Sequence, residues 1–554
     1  MLGVAVERKR AADRWSESLT RLSDILVEYK SASRHLQHLC DPRHSALLDS
    51  KFALLETLEL RLARTRRGLQ CVRNTSLELV PINKLHPEIL SYIFQLGVEQ
   101  EERDSEDVEN SSYNSSNDEP EGRTFAELVS HVSRHWRAVA LDTAVLWTKV
   151  DFSDPPPHEY TRILINRSKR APLDVSFALP HADLNWPDTE YFDTVMDILG
   201  PHIPRITALT IDSPDFDDMT ILMYRILQCT STAPPLKSLV LIDQSASGHV
   251  VSSFGFSNRI PQLYELMANL RIVNFDGTRL PYSTSTFKHL TSLRLANMSS
   301  VENQPSRDEF RDILIACPML ESLILDGSGF DVDKVTNVGD GVKMISLHTL
   351  HLICIPWTDM EYALHVIEAP CLRELKIADV EEADIGDNRH HGERVLQAIQ
   401  QFLTHRPPGS SSPSPLEHLH LRSTQTVEGS WPQYIPILQA APYLRILVLY
   451  DITLSDRIID RMGIPDGVTG ARAVVCPSLE TLKLCDVSNV TFSALIAMLK
   501  SRVRSGKKLE VLKVAELTPD PSGDDLETIM NELRLAVDRV VVILDGEPIE
   551  DLIT

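Results

Sequence analysis

The sequence predicts an α/β chain in which a helical N-terminal part precedes a long solenoid of strand–helix units. Three observations predict it. Large apolar residues recur at sevenfold spacing through the first 75 residues, and two amphipathic helical segments follow. From residue 206 onward an apolar triple of the form L-x-x-L-x-L then appears eleven times. A chain of 554 residues exceeds what one hydrophobic core normally serves, so two or three structural units are expected.

Residues 1–75 read as two helices. Trp15, Leu22, Tyr29 and Leu36 are spaced by seven, with Leu19 and Leu26 on the alternating seam. Asp41-Pro42 stops the first helix, because the residue before proline avoids the α region. Leu48, Leu55, Leu62 and Leu69 restart the repeat, with Leu58 between. The pattern predicts a helical hairpin or short coiled coil over 1–75. Its seam either packs on the helices that follow or serves self-association.

The next informative stretch is split in two. In INKLHPEILSYIFQLGV (Ile82 to Val98), Leu85, Ile89, Ile93 and Leu96 form an apolar stripe at helical spacing, with Leu90 and Phe94 on an adjoining flank. Pro87 suits the first turn, and Glu88 follows at the positive end of the helix dipole. In FAELVSHVSRHWRAVALDTAVLWTKVDF (Phe125 to Phe152), Phe125, Leu128, Val132, Trp136 and Val139 repeat in the same way. A short strand is expected over roughly Leu146 to Phe152.

These residues resemble an F-box. The first half matches at Leu85, Pro87, Glu88, Ile89, Leu90, Ile93 and Phe94. The second matches at Val132, Ser133, Arg134, Trp136, Arg137, Val139 and Ala140, then at Leu146 and Trp147. The sequence departs from the pattern at His86, inserted between Leu and Pro, and in the length of the gap. The resemblance implies a helical bundle over 76–152 that docks on a Skp-family adaptor and through it on a cullin. Its implied adaptor-binding residues are Leu85, Pro87, Glu88, Ile89, Ile93, Val132, Trp136 and Val139. Spacing alone does not separate contacts from core.

Between the halves lies EQEERDSEDVENSSYNSSNDEPEG (99–122), acidic and almost free of apolar residues, so disorder is expected there. Ser115 and Ser116 each have an acid three residues on, which suits acid-directed kinases. A solvated spacer is the plainer reading.

Past Pro155-Pro156-Pro157 the eleven triples run from Ile206/Leu209/Ile211 to Leu509/Leu512/Val514. Positions 4 and 6 flank a mostly polar residue, so each unit should hold a strand with one buried face. Helix-like stretches ending at Pro318, Pro370 and Pro442 lead into the next strand. Asp243, Asn297, Asp379, Asp451 and Asp486 fall two residues past position 6, where an Asx residue can cap the turn leaving the strand. The array resembles an irregular leucine-rich repeat solenoid of the kind that follows F-boxes in fungal proteins. It is expected over 153–554, with a flexible loop at 405–415 (HRPPGSSSPSP) and a closing strand over Arg539 to Gly546.

In such a solenoid the residue between positions 4 and 6 points onto the concave face. Down the units that row is Thr210, Val240, Asn274, Arg294, Ile324, His351, Lys376, His420, Val448, Lys483 and Lys513, with four cations, two histidines and no acid. Arg294, His351, Lys376, His420, Lys483 and Lys513 are therefore candidate substrate-binding residues for an acidic or phosphorylated segment. A merely solvated face is the alternative.

Other classes are disfavoured. None of the phosphate-binding, dinucleotide-binding, nucleophile-elbow or zinc-protease motifs occurs, so no catalytic residue, cofactor or metal is expected. The cluster His390-His391-Glu393 reads as a solvated loop. A formal charge of −23 argues against a nucleic-acid partner. No apolar run suits a membrane span or a signal peptide, and the eight cysteines form no C-x-x-C pair. A cytoplasmic or nuclear protein is expected. The resemblance makes the chain a non-enzymatic substrate-recognition subunit of an SCF-type cullin–RING ubiquitin ligase. The alternative is a leucine-rich repeat interaction scaffold whose F-box no longer engages an adaptor.

Overall fold

The computed structural model describes residues 2–39, 45–75, 81–111, 123–179, 189–229, 235–245, 260–278, 287–298, 304–330, 341–380, 391–404, 414–423, 433–463, 475–515, 526–544 and 547–550. Two compact units divide after Asp142. The boundary expected at residue 152 therefore moves ten residues upstream: the segment expected to end the helical bundle forms a 3-10 turn (Ala144–Trp147) and strand β1 (Lys149–Asp151), and β1 pairs with the solenoid sheet.

Among its described residues the first unit is helical. It holds α1 (Leu2–Leu39), α2 (Ser45–Thr75), α3 (Pro87–Ser111), α4 (Phe125–Val132) and α5 (Arg134–Asp142). The heptad residues of α1 and α2 lie in helices, and those whose side chains are described form no buried seam. Trp15, Leu19, Leu26, Tyr29, Leu58, Leu62 and Leu69 all stay exposed. A closed hairpin, or packing on the bundle, would have buried them. Helix α3 corrects a second expectation, since it continues to Ser111 through half of the acidic stretch read as disordered. That half contains neither Pro nor Gly and is rich in Glu, which favours helix. Gln100 donates to Asp104 at 2.7 Å, and the Glu101 carboxylate accepts the Phe125 backbone N–H at 2.9 Å. Ser115, Ser116, His390 and residues 405–413 lie outside the described residues.

The second unit is built of strands and helices, mostly in alternation. Its strands are β1, β2 (Leu173–Ala178), β3 (Ile206–Ser213), β4 (Ser238–Asp243), β5 (Ile272–Asp276), β6 (Ser292–Ala296), β7 (Ser322–Asp326), β8 (Val342–Lys343) and β9 (Thr349–Ile353). They continue as β10 (Ile367–Glu368), β11 (Glu374–Ala378), β12 (His418–Arg422), β13 (Ile446–Thr453), β14 (Thr481–Ser488), β15 (Leu509–Ala515), β16 (Val537–Leu544) and β17 (Glu547–Glu550). Helices α6 (Glu159–Arg167), α7 (Thr189–Leu199), α8 (Phe216–Gln228), α9 (Ile260–Ala268), α10 (Arg307–Ala316), α11 (Trp357–Val366), α12 (His391–Thr404), α13 (Tyr434–Ala440), α14 (Asp456–Met462), α15 (Phe492–Arg504) and α16 (Leu526–Ala536) connect them.

Among the described residues fifteen strands form one sheet in sequence order, with β8 and β10 set apart as a separate pair. All neighbours in the main sheet are parallel except the antiparallel closing pair β16–β17. Parallel strands following one another in sequence order are the arrangement of a leucine-rich repeat solenoid. Register is uniform: Leu209, Leu239, Val273, Leu293, Leu323, Leu350, Leu375, Leu419, Leu447, Leu482 and Leu512 stand side by side along it. All eleven sequence triples become strands, and β1 and β2 add two that lack the full triple.

The corner after each strand repeats as well. Gly277, Asn297, Gly327, Cys354, Asp379, Ser423, Asp451 and Asp486, each two residues past position 6, have φ between 48° and 69°. Gly, Asn and Asp tolerate that conformation best. The corner is maintained by the backbone, as in Asn297 N–H to Asp326 C=O at 2.7 Å and Gly327 N–H to Ile353 C=O at 2.8 Å. Asp243 caps its turn differently, through its carboxylate to the Ser245 N–H at 3.0 Å. At Gly277 a Cβ would sit 2.4 Å from the Asp243 carbonyl oxygen, so no other residue fits unstrained.

One buried cation fastens the C-terminal repeats. Arg502 on α15 is fully buried and donates to the carbonyls of Met462 at 3.0 Å, Cys476 at 3.3 Å, Leu479 at 2.9 Å and Lys507 at 3.2 Å. Its guanidinium thus satisfies turns from two successive repeats. Arg502→Met keeps the volume and orphans those carbonyls, which should cost roughly 3 kcal/mol. Urea unfolding should show a clearly lowered midpoint; an unchanged midpoint contradicts the role.

Candidate functional site

Each unit presents one face with functional character. In the first unit, α3 starts at His86, whose carbonyl accepts the N–H groups of Ile89 at 3.0 Å and Leu90 at 3.1 Å. The inserted histidine is thus the helix cap, and its ring contacts the Glu88 carboxylate. Ser133 caps α5, its hydroxyl accepting the Trp136 N–H at 3.1 Å. The α3–α4 approach depends on Gly97, where a Cβ would lie 2.1 Å from the Phe125 ring.

The structure separates core from surface in a way spacing did not. Leu90 and Phe94, the adjoining flank, are buried with Val129, Val139 and Ala140, and the Trp136 ring lies 5.0 Å from that of Phe94. The main stripe of α3 faces outward: Ile89 is 51% exposed, Ile93 38% and Leu96 44%. On α4, Leu128 and Val132 are each 50% exposed. Of the expected adaptor-binding residues, Pro87, Glu88, Ile89, Ile93 and Val132 are at the surface, Leu85 and Trp136 are half-buried, and Val139 is core. Val139 is therefore corrected from contact to core. Tyr92, Leu96 and Leu128 are exposed apolar residues outside the expected set.

In the second unit the site is the sheet face opposite the helices. Period-two alternation puts positions 4 and 6 inward and leaves the residue between them half-exposed. Register carries Lys376 beside His351 on one side and His420 on the other, and Lys483 beside Lys513. Val448 stands between His420 and Lys483. Five of the six candidate residues thus share one band, on β9, β11, β12, β14 and β15.

Arg294 does not belong to it. Ile324 separates the two in the row, and the Arg294 guanidinium pairs with Asp326 at 3.0 Å. The face between β1 and β7 carries more acid than base, with Asp151, Asp174, Asp212, Asp276 and Asp326 against Lys149 and Arg294. The expected continuous basic stripe is really a polarised face, acidic at its N-terminal end and basic at its C-terminal end.

Two residues of the band were missed. Arg422 and Tyr450 lie two positions beyond His420 and Val448, hence on the same face and in register with each other. The guanidinium of Arg422 stacks 4.6 Å above the Tyr450 ring and reaches Asp379 at 3.2 Å. Carrying the row two positions further in each unit would have found both.

The band is not uniform in charge. Glu374 pairs with His351 at 3.0 Å. The hydrogen bond from His351, together with the charges of His351, His418 and Lys376, holds that carboxyl below the usual range. His420 is pushed down to about 4 by burial first, then by the charges of Lys376, His351, Arg422 and Lys483. It is a neutral donor and acceptor at physiological pH, ringed by cations. Among the described residues no group of three His, Cys, Asp or Glu side chains could hold a metal ion, and no helix is long and apolar enough to cross a membrane.

No family model matches the chain, and no curated protein matches it. Among solved structures it is similar to the complex of Rad7 and Elc1 from yeast, at 13% identity, over 90% of this chain and 98% of that one, with a TM-score of 0.33. It is also similar to a protein of Bacteroides fragilis, at 14% identity, over 69% and 76%, with a TM-score of 0.26. Likenesses this remote say nothing of activity or partners.

The electrostatics of the band are directly measurable. In Lys376→Gln/Lys483→Gln, removing two neighbouring positive charges makes protonation of His420 easier. Its pKa, read by NMR of labelled histidine, should rise from about 4 toward the ordinary value of 6.5. A value that stays or falls contradicts the cluster.

Proposed function

We propose that the chain is a non-catalytic substrate receptor of a cullin–RING ubiquitin ligase. Its first unit docks on a Skp-family adaptor, and its repeats hold the protein to be modified. The observation that carries the reading is the outward face of α3. Where the sequence resembles an F-box, Ile89, Ile93 and Leu96 are left in water while Leu90 and Phe94 complete the core. Grouped apolar exposure of this kind on a folded unit is the mark of a partner surface. The adaptor would bring the cullin and a ubiquitin-charged enzyme, so this protein contributes proximity and no bond-making. Cys317 and Cys476 are in no disulfide and are buried, and burial pushes both thiols well above their ordinary range. A thiolate nucleophile is not available at either. A cytoplasmic or nuclear setting suits this role.

The test is adaptor binding by the purified chain and by Ile89→Asp/Ile93→Asp. Both residues are exposed, so the variant should keep its circular dichroism and melting curve. Its affinity for a Skp-family adaptor should fall at least about tenfold, as for anchor residues of an apolar interface. A wild-type chain that binds no such adaptor would leave the repeats as an interaction scaffold. Equal binding by the variant would remove the α3 face from the contact.

A further inference from the structure

We infer that the open face of β11–β15 binds an extended segment of another protein in which two anionic side chains, four residues apart, flank an apolar one. This rests on the reading of the repeats as the substrate-holding part. The cations of the band fall into two groups. Lys376 and Arg422 surround His420 on β11 and β12, and Lys483 and Lys513 adjoin on β14 and β15. Between them β13 offers Val448 and Tyr450, both half-exposed.

The spacing follows from the sheet. The centres of the two groups are three strand steps apart, or about 14 Å at the usual ~4.8 Å separation. An extended chain laid across the strands advances ~3.3 Å per residue, so about four residues bridge that distance. Its middle side chain would meet Val448 and the Tyr450 ring.

The sign of the ligand follows from what is left uncompensated. None of Lys376, Lys483 and Lys513 has an ion-pair partner among the described residues. Burial lowers the pKa of His420 first, and the nearby charges of Lys376, His351, Arg422 and Lys483 lower it further. The acidic half of the face, from β1 to β7, would repel an anion that strayed there, which confines the ligand to the C-terminal repeats. A nucleic acid fits poorly, since a polyanion following the sheet would run onto those aspartates. Carboxylates and phosphates both satisfy the site. A phosphate is the stronger ligand because it carries close to two charges.

The test uses fluorescence polarisation with the full chain and three labelled peptides. The first has the core Glu-Ser-Leu-Ser-Glu in neutral flanks. The second replaces both glutamates by phosphoserine. The third has the first peptide's composition with the two glutamates adjacent and the leucine at one end. The first should bind in a salt-sensitive manner, the second at least tenfold more tightly, and the third at least fivefold more weakly than the first. Lys376→Glu/Lys483→Glu should weaken the first two at least tenfold, while Asp212→Lys/Asp276→Lys changes them less than twofold.

Absence of salt-sensitive binding by the first two peptides, or binding indifferent to Lys376→Glu/Lys483→Glu, overturns the inference. Equal affinity for the first and third peptides overturns the spacing. Adaptor binding measured on the same preparation separates the two readings. Peptide capture without adaptor binding sinks the ligase reading alone, and adaptor binding without peptide capture sinks this inference alone.

Discussion

The structure of the second unit depends on one constraint, the in-register stacking of apolar residues at two alternating positions of every repeat. Burying the apolar surface of each leucine contributes on the order of 2 kcal/mol. Because side chains alternate with a period of two, a slip of one residue would expose a strand's leucines and bury its polar row. In β11 that slip would drive Lys376 into the core in place of Leu375 and Ile377. Register is therefore locked strand by strand, and the open face is dictated with it. Lys376 and Lys513, far apart in sequence, become members of one surface because both flanking positions of each are buried.

The same logic works in the opposite direction in the first unit. Helices α3, α4 and α5 are short of partners, and a small bundle can bury only one flank of α3. Phe94 takes that flank because its ring packs against Trp136. Ile89, Ile93 and Leu96 are then left on the outside. The apolar width of α3, more than one core can absorb, is what makes it a candidate docking helix. On α1 and α2 the same excess appears as uncovered heptads.

Much of the solenoid was legible in the sequence, because period-two patterning and a repeated triple are strong local signals. The outward row follows from the triple, and four of the five Asx residues that mark the turns, Asn297, Asp379, Asp451 and Asp486, take positive φ, while Asp243 caps by its side chain. Strands β1 and β2 were missed as members of the sheet because neither carries the leading leucine of the triple, and β2 shows only the alternation Leu173, Val175, Phe177. The acidic continuation of α3 was misjudged because composition was weighed above helix propensity and above the Glu101–Phe125 contact, which is remote in sequence. Arg294 was grouped with the basic row because Asp326, its partner, lies on the next strand, 32 residues away. Which stripe of α3 is core was not readable at all, since Leu90 and Ile89 are equally apolar and only the position of Trp136 decides between them.

The most direct measurement is a distance across the open face. Spin labels at positions 376 and 513 of the intact chain would stand on β11 and β15, four strand steps apart in the sheet order. At ~4.8 Å per step their attachment points are about 19 Å apart. A single narrow distribution near that value, broadened only by the label tethers, is what an in-register parallel ladder predicts. A distribution centred well beyond about 35 Å, or one spread without a peak, would contradict the ladder and with it the assembled face.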